Sequence, residues 1–124
     1  MSKSWKIKFY KTRDGKNLIK EFIDSKSISN QSKIAAWLKL LKEHGNILVR
    51  PYADYLDDGI YELRIKLSGN QIRVLYFFCF KDYIILTHAF SKNTDKVDPA
   101  EIRKCKKFRE DFLSRYTARN IEEA

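Results

Sequence analysis

Residues 61–92 are rich in β-branched and aromatic side chains, and two short polar breaks divide them into three runs. This pattern predicts three consecutive β-strands, at Tyr61–Leu67, Gln71–Phe80 and Tyr83–Ser91. Strands joined by such short connections pair antiparallel, because a parallel pair needs a long crossover. The segment therefore restricts the chain to folds that contain an antiparallel meander.

The part of the chain before the meander is predicted to be one strand and two helices. A half-buried strand is predicted at Trp5–Tyr10, and apolar residues at helical spacing indicate a short helix around Leu18–Ile23. A second helix has its apolar stripe along Ile34–Leu41 and ends at Gly45. The segment 46–58 is predicted to be a loop because it contains a proline and an Asp-Asp-Gly sequence.

The last helix has a strong start signal, with Asp98 as N-cap and Pro99 in the first turn. The predicted order is β-α-α-β-β-β-α, an α+β layout in which the first strand joins the meander and the helices cover part of the sheet. A chain of 124 residues is long enough for one core. We therefore expect a single domain over residues 1–118 and a frayed tail over residues 119–124.

Two-residue turns are predicted at residues 69–70 and 81–82, and they determine a register for the meander. In this register Arg73 lies opposite Lys66 across the first turn and opposite Phe90 across the second. Directly opposed residues share a face of the sheet.

The predicted register separates charged from apolar side chains, as expected where one face is buried. It also places His88 opposite Leu75. The polar face carries Glu62, Arg64, Lys66, Arg73 and His88. The opposite face carries Leu63, Ile65, Leu67, Ile72, Val74, Tyr76, Phe78, Ile85 and Ala89.

The formal net charge of +9 indicates, in order of preference, a nucleic acid, an acidic protein or an anionic membrane as partner. No secretory signal and no apolar run of membrane-spanning length is found. Cys79 and Cys105 have no metal-binding spacing, so we interpret them as reduced, buried thiols of a cytoplasmic protein.

Cations on a β-face are costly to bury without anionic partners, so the polar face is expected to meet phosphate. His88 is the residue there that can transfer a proton near neutral pH, and nearby cations should lower its pKa. Simpler interpretations stay open. His88 can be an ordinary hydrogen-bonded histidine, Arg73 can pair with Glu62, and Arg64 and Lys66 can form a solvated strand face.

Segments 62–66, 73–77 and 86–92, followed by Pro99 and Glu101 at the start of a basic helix, closely resemble the HigB-like branch of the RelE toxin superfamily. This branch is widespread in bacteria and their phages. The resemblance implies a RelE-like fold and a type II toxin, a ribosome-dependent endonuclease that cuts translated mRNA and inhibits translation. It also implies an antitoxin partner, usually with a helix-turn-helix domain, and chemistry that uses no metal and no small-molecule cofactor.

The resemblance also implies roles for individual residues. Arg73 matches the strand arginine that clamps the scissile phosphate, and His88 matches a histidine that serves as general base or acid. Lys92 matches a basic residue that stabilises developing charge. Arg64 and Lys66 would hold the RNA backbone.

Two other functions remain open on the sequence alone. A ParE-like toxin would have the same fold but would bind gyrase and perform no chemistry, and such chains lack this arginine, histidine and lysine set. A non-catalytic basic nucleic-acid-binding or phage regulatory protein would keep the charge without the reaction.

Overall fold

The computed structural model describes residues 4–92 and 94–124, which form one α+β domain as predicted. The strands are β1 (Lys6–Phe9), β2 (Ala53–Asp57), β3 (Ile60–Leu67), β4 (Asn70–Cys79) and β5 (Tyr83–Lys92). The helices are α1 (Leu18–Asp24), α2 (Ile28–His44) and α3 (Pro99–Arg115), with 3-10 turns at Gly45–Ile47 and Ile121–Glu123. The sheet order is β1-β5-β4-β3-β2, with β1 parallel to β5 and the other neighbours antiparallel.

The two faces of the sheet have separate cores. Helices α1 and α2 cover one face, where Ile19, Ile34 and Leu41 pack with side chains of β3 and β4. Helix α3 covers the other face, where Cys105 and Phe112 pack in a second cluster. Both faces of the central strand β4 are therefore buried, which explains its nearly continuous apolar sequence.

Side-chain caps determine where the helices begin. The Asn17 side chain accepts a hydrogen bond from the backbone N–H of Lys20 at the start of α1. The Ser27 side chain accepts one from the backbone N–H of Asn30 at the start of α2. The predicted cap of α3 is confirmed, because the Asp98 carboxylate accepts a hydrogen bond from the N–H of Ala100 and Pro99 follows it.

The three predicted meander strands agree with β3, β4 and β5 within one residue at each end. The prediction of a loop at residues 46–58 is wrong in part, because β2 pairs with β3 at the edge of the sheet. Asp58 and Gly59 connect these two strands, with φ of 48° and 78°. Asp-Gly is a preferred two-residue hairpin turn that requires this backbone, so the sequence did contain the signal for the hairpin.

The turn between β3 and β4 lies one residue earlier than predicted. Leu67 pairs with Asn70, so the turn residues are Ser68 and Gly69, and Arg73 lies opposite Arg64 instead of the predicted Lys66. Each residue of β3 thus meets a partner two positions away from the predicted one. A shift of two preserves the face of every side chain, so the predicted separation of polar and apolar faces survives.

The connection between β4 and β5 contains an irregularity that sequence reasoning missed. The turn has three residues, because Cys79 pairs with Tyr83, and the predicted two-residue turn is wrong. A bulge at Thr87 then compensates, since Leu86 lies opposite Tyr76 and the next paired residue is His88.

The bulge explains one success and one failure of the predicted register. Beyond it, His88 lies opposite Leu75 and Phe90 opposite Arg73, as predicted. Before it, Ile85 belongs to the cluster under α3, so its predicted placement on the opposite face is wrong.

The expectation of a frayed tail over residues 119–124 is also wrong. Ile121 is 1% exposed and packs in the cluster under α3. Tyr83 donates a hydrogen bond to the Glu122 carboxylate, and Lys8 donates one to the Glu122 carbonyl at 3.1 Å. Ile121, together with the partly buried Ala124, anchors a segment whose other residues are polar.

None of the helices in the described part of the chain is long and apolar enough to cross a membrane.

Gly45→Ala is expected to lower the free energy of unfolding by about 2–4 kcal/mol, because an added Cβ would overlap the buried indole of Trp5 at a position with φ of 52°. Gly69→Ala is the matched control, since it has φ of 69° but open space around it. Backbone strain alone should cost about 1 kcal/mol there. Urea denaturation measures both values, and equal losses would contradict the packing of Trp5 on Gly45.

Candidate functional site

Three rows of side chains cross β3, β4 and β5 on the face under α3. Cross-strand pairing defines them, because each row contains residues that lie directly opposite one another. The outer row is Lys66, Gln71 and Lys92; the middle row is Arg64, Arg73 and Phe90; the inner row is Glu62, Leu75 and His88. The predicted placement of Arg64, Lys66, Arg73 and His88 on one face is confirmed, and Lys92 at the end of β5 lies on the same face.

The outer row is open to solvent. Lys66 and Gln71 are exposed and Lys92 is half-buried. Together with Leu67, Gly69 and Asn70 they line an open cavity of about 360 Å³. None of the described residues that line this cavity carries a carboxylate, so two ammonium groups face it with no anion among those residues. Both lysines are therefore accessible to an anion from solution.

Arg73 in the middle row is buried, with 1% of its surface exposed. Its Nε lies 2.7 Å from Oε1 of Glu62, close enough for an ion pair although the N–H is not aligned for a hydrogen bond. Its Nη2 donates to the side-chain oxygen of Gln71 at 3.1 Å. The pairing of Arg73 with Glu62, the simpler of the two sequence interpretations, is therefore present in the structure.

Asp95 joins the arginine side chains from outside the sheet. Its Oδ1 lies 2.6 Å from Nη2 of Arg64 and 3.9 Å from Nη2 of Arg73, and its Oδ2 lies 3.5 Å from Nη1 of Arg50. We call these three residues, Arg50, Arg64 and Arg73, the arginine cluster. The sequence interpretation paired Arg73 with Glu62 alone and overlooked Asp95, which lies 31 residues from Arg64 in the chain.

Burial and nearby positive charge have opposite effects on the pKa values of the carboxylates that contact the arginine cluster. Desolvation raises the pKa of Glu62 above its usual range, and the attraction of Arg73 and Arg64 opposes that rise. The hydrogen bond from Arg64 lowers the pKa of the exposed Asp95. Asp95 therefore stays anionic at neutral pH while it contacts the arginine cluster.

His88 in the inner row is enclosed by aromatic rings. It is 3% exposed, and the ring centroids of Phe90 and Phe108 lie 5.7 and 5.8 Å from its own. Its Nδ1 lies 3.0 Å from the hydroxyl of Thr87, the bulge residue. Its Nε2 lies 3.8 Å from Oε1 of Glu101, beyond hydrogen-bond distance.

Burial lowers the pKa of His88 to about 4, and the positive charge of Lys104 contributes a smaller part. The predicted direction is confirmed, but the cause differs. The sequence argument attributed the shift to the cations of the polar face, whereas removal from water is the larger effect. The imidazole is neutral at pH 7 and can accept a proton.

The rows differ in what they can touch. Lys66 and Lys92 can contact a large polyanion in this conformation, whereas Arg73 and His88 cannot. The first turns of α3 and residues 95–97 stand over the middle and inner rows. The structure therefore brings the predicted residues to one face but places them at different depths.

Four residues at the site were not assigned to it by sequence reasoning. Arg50 and Asp95 lie in segments without periodic pattern, so nothing in the sequence signals their meeting. Glu101 was recognised only as a first-turn residue of α3, and Thr87 only as part of a strand. Among the described residues, no group of three or more His, Cys, Asp or Glu side chains is arranged to hold a metal ion.

A comparison with protein-family models gives one match, to the family described as "Phage derived protein Gp49-like (DUF891)", over residues 21–110. The match begins within α1, includes α2 and the whole meander, and ends within α3. No curated protein matches the sequence.

Arg73→Ala is expected to lower the free energy of unfolding by about 3–5 kcal/mol, because Glu62 would be left buried without its ion-pair partner. Lys66→Ala removes an exposed cation from the same face and should cost about 0.5 kcal/mol or less. Urea denaturation at pH 7 measures both. A loss for Arg73→Ala as small as that for Lys66→Ala would show that the ion pair is not buried in solution.

The pKa of His88 should also make the stability of the fold depend on pH. The pKa is about 4 in the fold and about 6.5 in the unfolded chain, so the unfolded chain takes up the proton first as the pH falls. The free energy of unfolding should therefore fall between about pH 6.5 and pH 4, by on the order of 2–3 kcal/mol from this group.

His88→Gln should remove this component of the pH dependence, and His44→Gln, at the exposed end of α2, should retain it. Urea titrations of the three proteins across this pH range make the comparison. The same pH dependence in His88→Gln as in the unmodified protein would contradict the burial of a neutral imidazole.

Proposed function

The chain belongs to the Gp49-like family of phage-derived proteins, a family in the context of RelE/HigB-type toxins, and from this premise we propose that it is the toxin of a type II toxin–antitoxin pair. In this proposal it is a HigB-like endoribonuclease that acts in the cytoplasm on ribosome-bound mRNA and inhibits translation. Its expected partners are the ribosome, the mRNA and a helix-turn-helix antitoxin.

The observation that carries the proposal is the three-row arrangement of basic side chains beside a histidine. Two lysines face an open cavity, two arginines follow in the next row, and His88 lies in the third. Side chains suited to phosphate binding therefore lie in rows beside a side chain suited to proton transfer, which supports the proposal. A net charge of +9 would favour docking on ribosomal RNA.

The side chains of the three rows would supply one of the two proton transfers and the charge stabilisation of the proposed reaction, and water would supply the other proton transfer. A base takes the proton of the ribose 2′-OH, the 2′-oxygen attacks the adjacent phosphorus, and the P–O5′ bond breaks as the 5′-oxygen receives a proton. Arg73 would hold the phosphate oxygens in the plane of its guanidinium, and Lys92 would stabilise the charge that develops on them. His88 would act as the base or the acid.

The depth of Arg73 and His88 places a condition on this mechanism. A base with a pKa of about 4 is weak at neutral pH, because the best catalytic bases have a pKa near the working pH. Exposure of His88 to water would move its pKa back toward its ordinary value, since burial is the main cause of the shift. We therefore propose that binding at the ribosome uncovers His88 in the inner row.

The same burial favours a second candidate function. A basic protein that binds RNA through Lys66 and Lys92 and performs no chemistry needs only the outer row. Gyrase inhibition, the other alternative, has no observation in its favour here.

Production of the protein alone in bacteria should stop growth and cut mRNAs inside translated regions. Replacement of Lys66 and Lys92 by Gln should relieve the arrest, because about two phosphate contacts are lost and the salt dependence of RNA binding weakens by about 1.4 in logarithmic slope. Lys33→Gln is the matched control, since it removes an exposed lysine from α2 on the opposite side of the sheet and should remain toxic.

His88→Gln separates the two candidate functions. The endonuclease proposal expects mRNA cleavage to fall by about a hundredfold or more, the usual effect of losing a general base, with His44→Gln unchanged. Primer extension on ribosome-bound mRNA measures this. Full toxicity of His88→Gln with intact mRNA would favour binding without chemistry, and damaged DNA supercoiling with intact mRNA would favour gyrase.

A further inference from the structure

Asp95 lies at the surface but makes ionic contacts with several arginines. Its side chain is 68% exposed, yet it contacts three guanidinium groups, at 2.6, 3.5 and 3.9 Å. Two of those arginines, Arg64 and Arg73, belong to the middle row, and Arg73 is buried. An exposed carboxylate thus closes the solvent side of the arginine cluster.

The position of this carboxylate is suitable for a phosphate. An oxygen in the place of Asp95 Oδ1 lies within hydrogen-bond distance of Arg64 and 3.9 Å from Arg73, and a second oxygen in the place of Oδ2 lies 3.5 Å from Arg50. Guanidinium groups with N–H bonds directed at a pair of oxygens bind carboxylates and phosphates alike.

The charges around the cluster also favour exchange of one anion for another. Three arginines, Arg50, Arg64 and Arg73, face three carboxylates, Asp54, Glu62 and Asp95, so the six charges sum to zero. Removal of Asp95 leaves a net charge of +1. A phosphodiester carries one negative charge and restores neutrality.

Space is available beside the cluster. An open cavity of about 300 Å³ has Arg50, Glu62 and Asp95 in its wall, together with Lys96. The Asp95 side chain is 68% exposed and can turn into solvent, and a bound phosphate would replace its contacts with the arginines. Glu62 is held in the sheet and cannot leave in the same way.

We propose that the arginine cluster is a binding site for a phosphodiester of single-stranded RNA, and that the carboxylate of Asp95 occupies the position of the phosphate until RNA displaces it. The proposal deepens the proposed function and depends on it for the identity of the ligand. It assigns to Arg50 a role in phosphate binding and to Asp95 a role as an internal competitor. A structural ion-pair network that only holds residues 94–98 against the sheet is the alternative.

The affinity of the full-length protein for a short fluorescein-labelled single-stranded RNA tests the proposal, by fluorescence anisotropy without ribosomes. Asp95→Asn should tighten RNA binding about fivefold, because the ion pairs of Asp95 with the arginine cluster no longer compete with the phosphate. Asp57→Asn is the matched control. It removes the same charge from an aspartate of similar exposure that pairs with one lysine, Lys106, at 2.7 Å, and it should leave the affinity almost unchanged.

Arg50→Gln in the Asp95→Asn background should abolish the gain in affinity. An equal gain for Asp95→Asn and Asp57→Asn would show an effect of net charge alone and would overturn the proposal, as would no gain for Asp95→Asn. A gain that survives Arg50→Gln would overturn the assignment of Arg50.

The test also separates this proposal from the proposed function. A single-stranded oligonucleotide with 2′-deoxyribose at every position cannot be cleaved by attack of a 2′-oxygen, so binding to it reports on the phosphate site alone. The expected gain for Asp95→Asn with this probe supports the site even if the protein cuts no mRNA on the ribosome. Absence of the gain overturns the site even if the protein is toxic.

Discussion

The buried ion pair between Arg73 and Glu62 is the interaction on which the site depends. Burial of a lone guanidinium inside a sheet would cost several kcal/mol, so the fold can keep Arg73 in the central strand only with an anion beside it. Glu62 supplies that anion from the neighbouring strand. The pair fixes the position of Arg73 and leaves one side of its guanidinium facing Asp95 and the surface.

Depth gives the rows different properties. The outer row keeps its lysines in water, where they attract phosphate at long range, whereas the inner row holds His88 neutral because it is dry. The middle row lies between them, half closed by Asp95. Binding of a polyanion from the outer row inward is a physical route by which RNA recognition and exposure of the histidine can be linked.

Sequence reasoning succeeded where a regular period governs the structure. The period of two in the strands predicted which side chains share a face. The shift of two residues in the pairing of β3 with β4 did no harm, because it preserved that alternation. Sequence reasoning failed where an irregular backbone determines the structure. The bulge at Thr87 reverses the face of Ile85, and the Asp58-Gly59 hairpin was interpreted as part of a loop.

The depth of the site and its acidic partner also escaped prediction. Burial of Arg73 and His88 depends on how α3 lies over the sheet, and Asp95 meets Arg64 only through tertiary structure. The match to the Gp49-like family agrees with the sequence resemblance at the level of the RelE/HigB-type toxin context, and it leaves the HigB-like branch and the reaction to experiment.

NMR of the arginine and lysine side chains during titration with a non-cleavable single-stranded oligonucleotide tests the central claim most directly. If the three rows form one binding face, the Nε–H signals of Arg64 and Arg73 shift together with the Nζ-attached carbon signals of Lys66 and Lys92, and Lys33 on the opposite side stays constant. Shifts confined to the two lysines, with both guanidinium signals unmoved at saturation, would contradict the claim that Arg73 is part of the site.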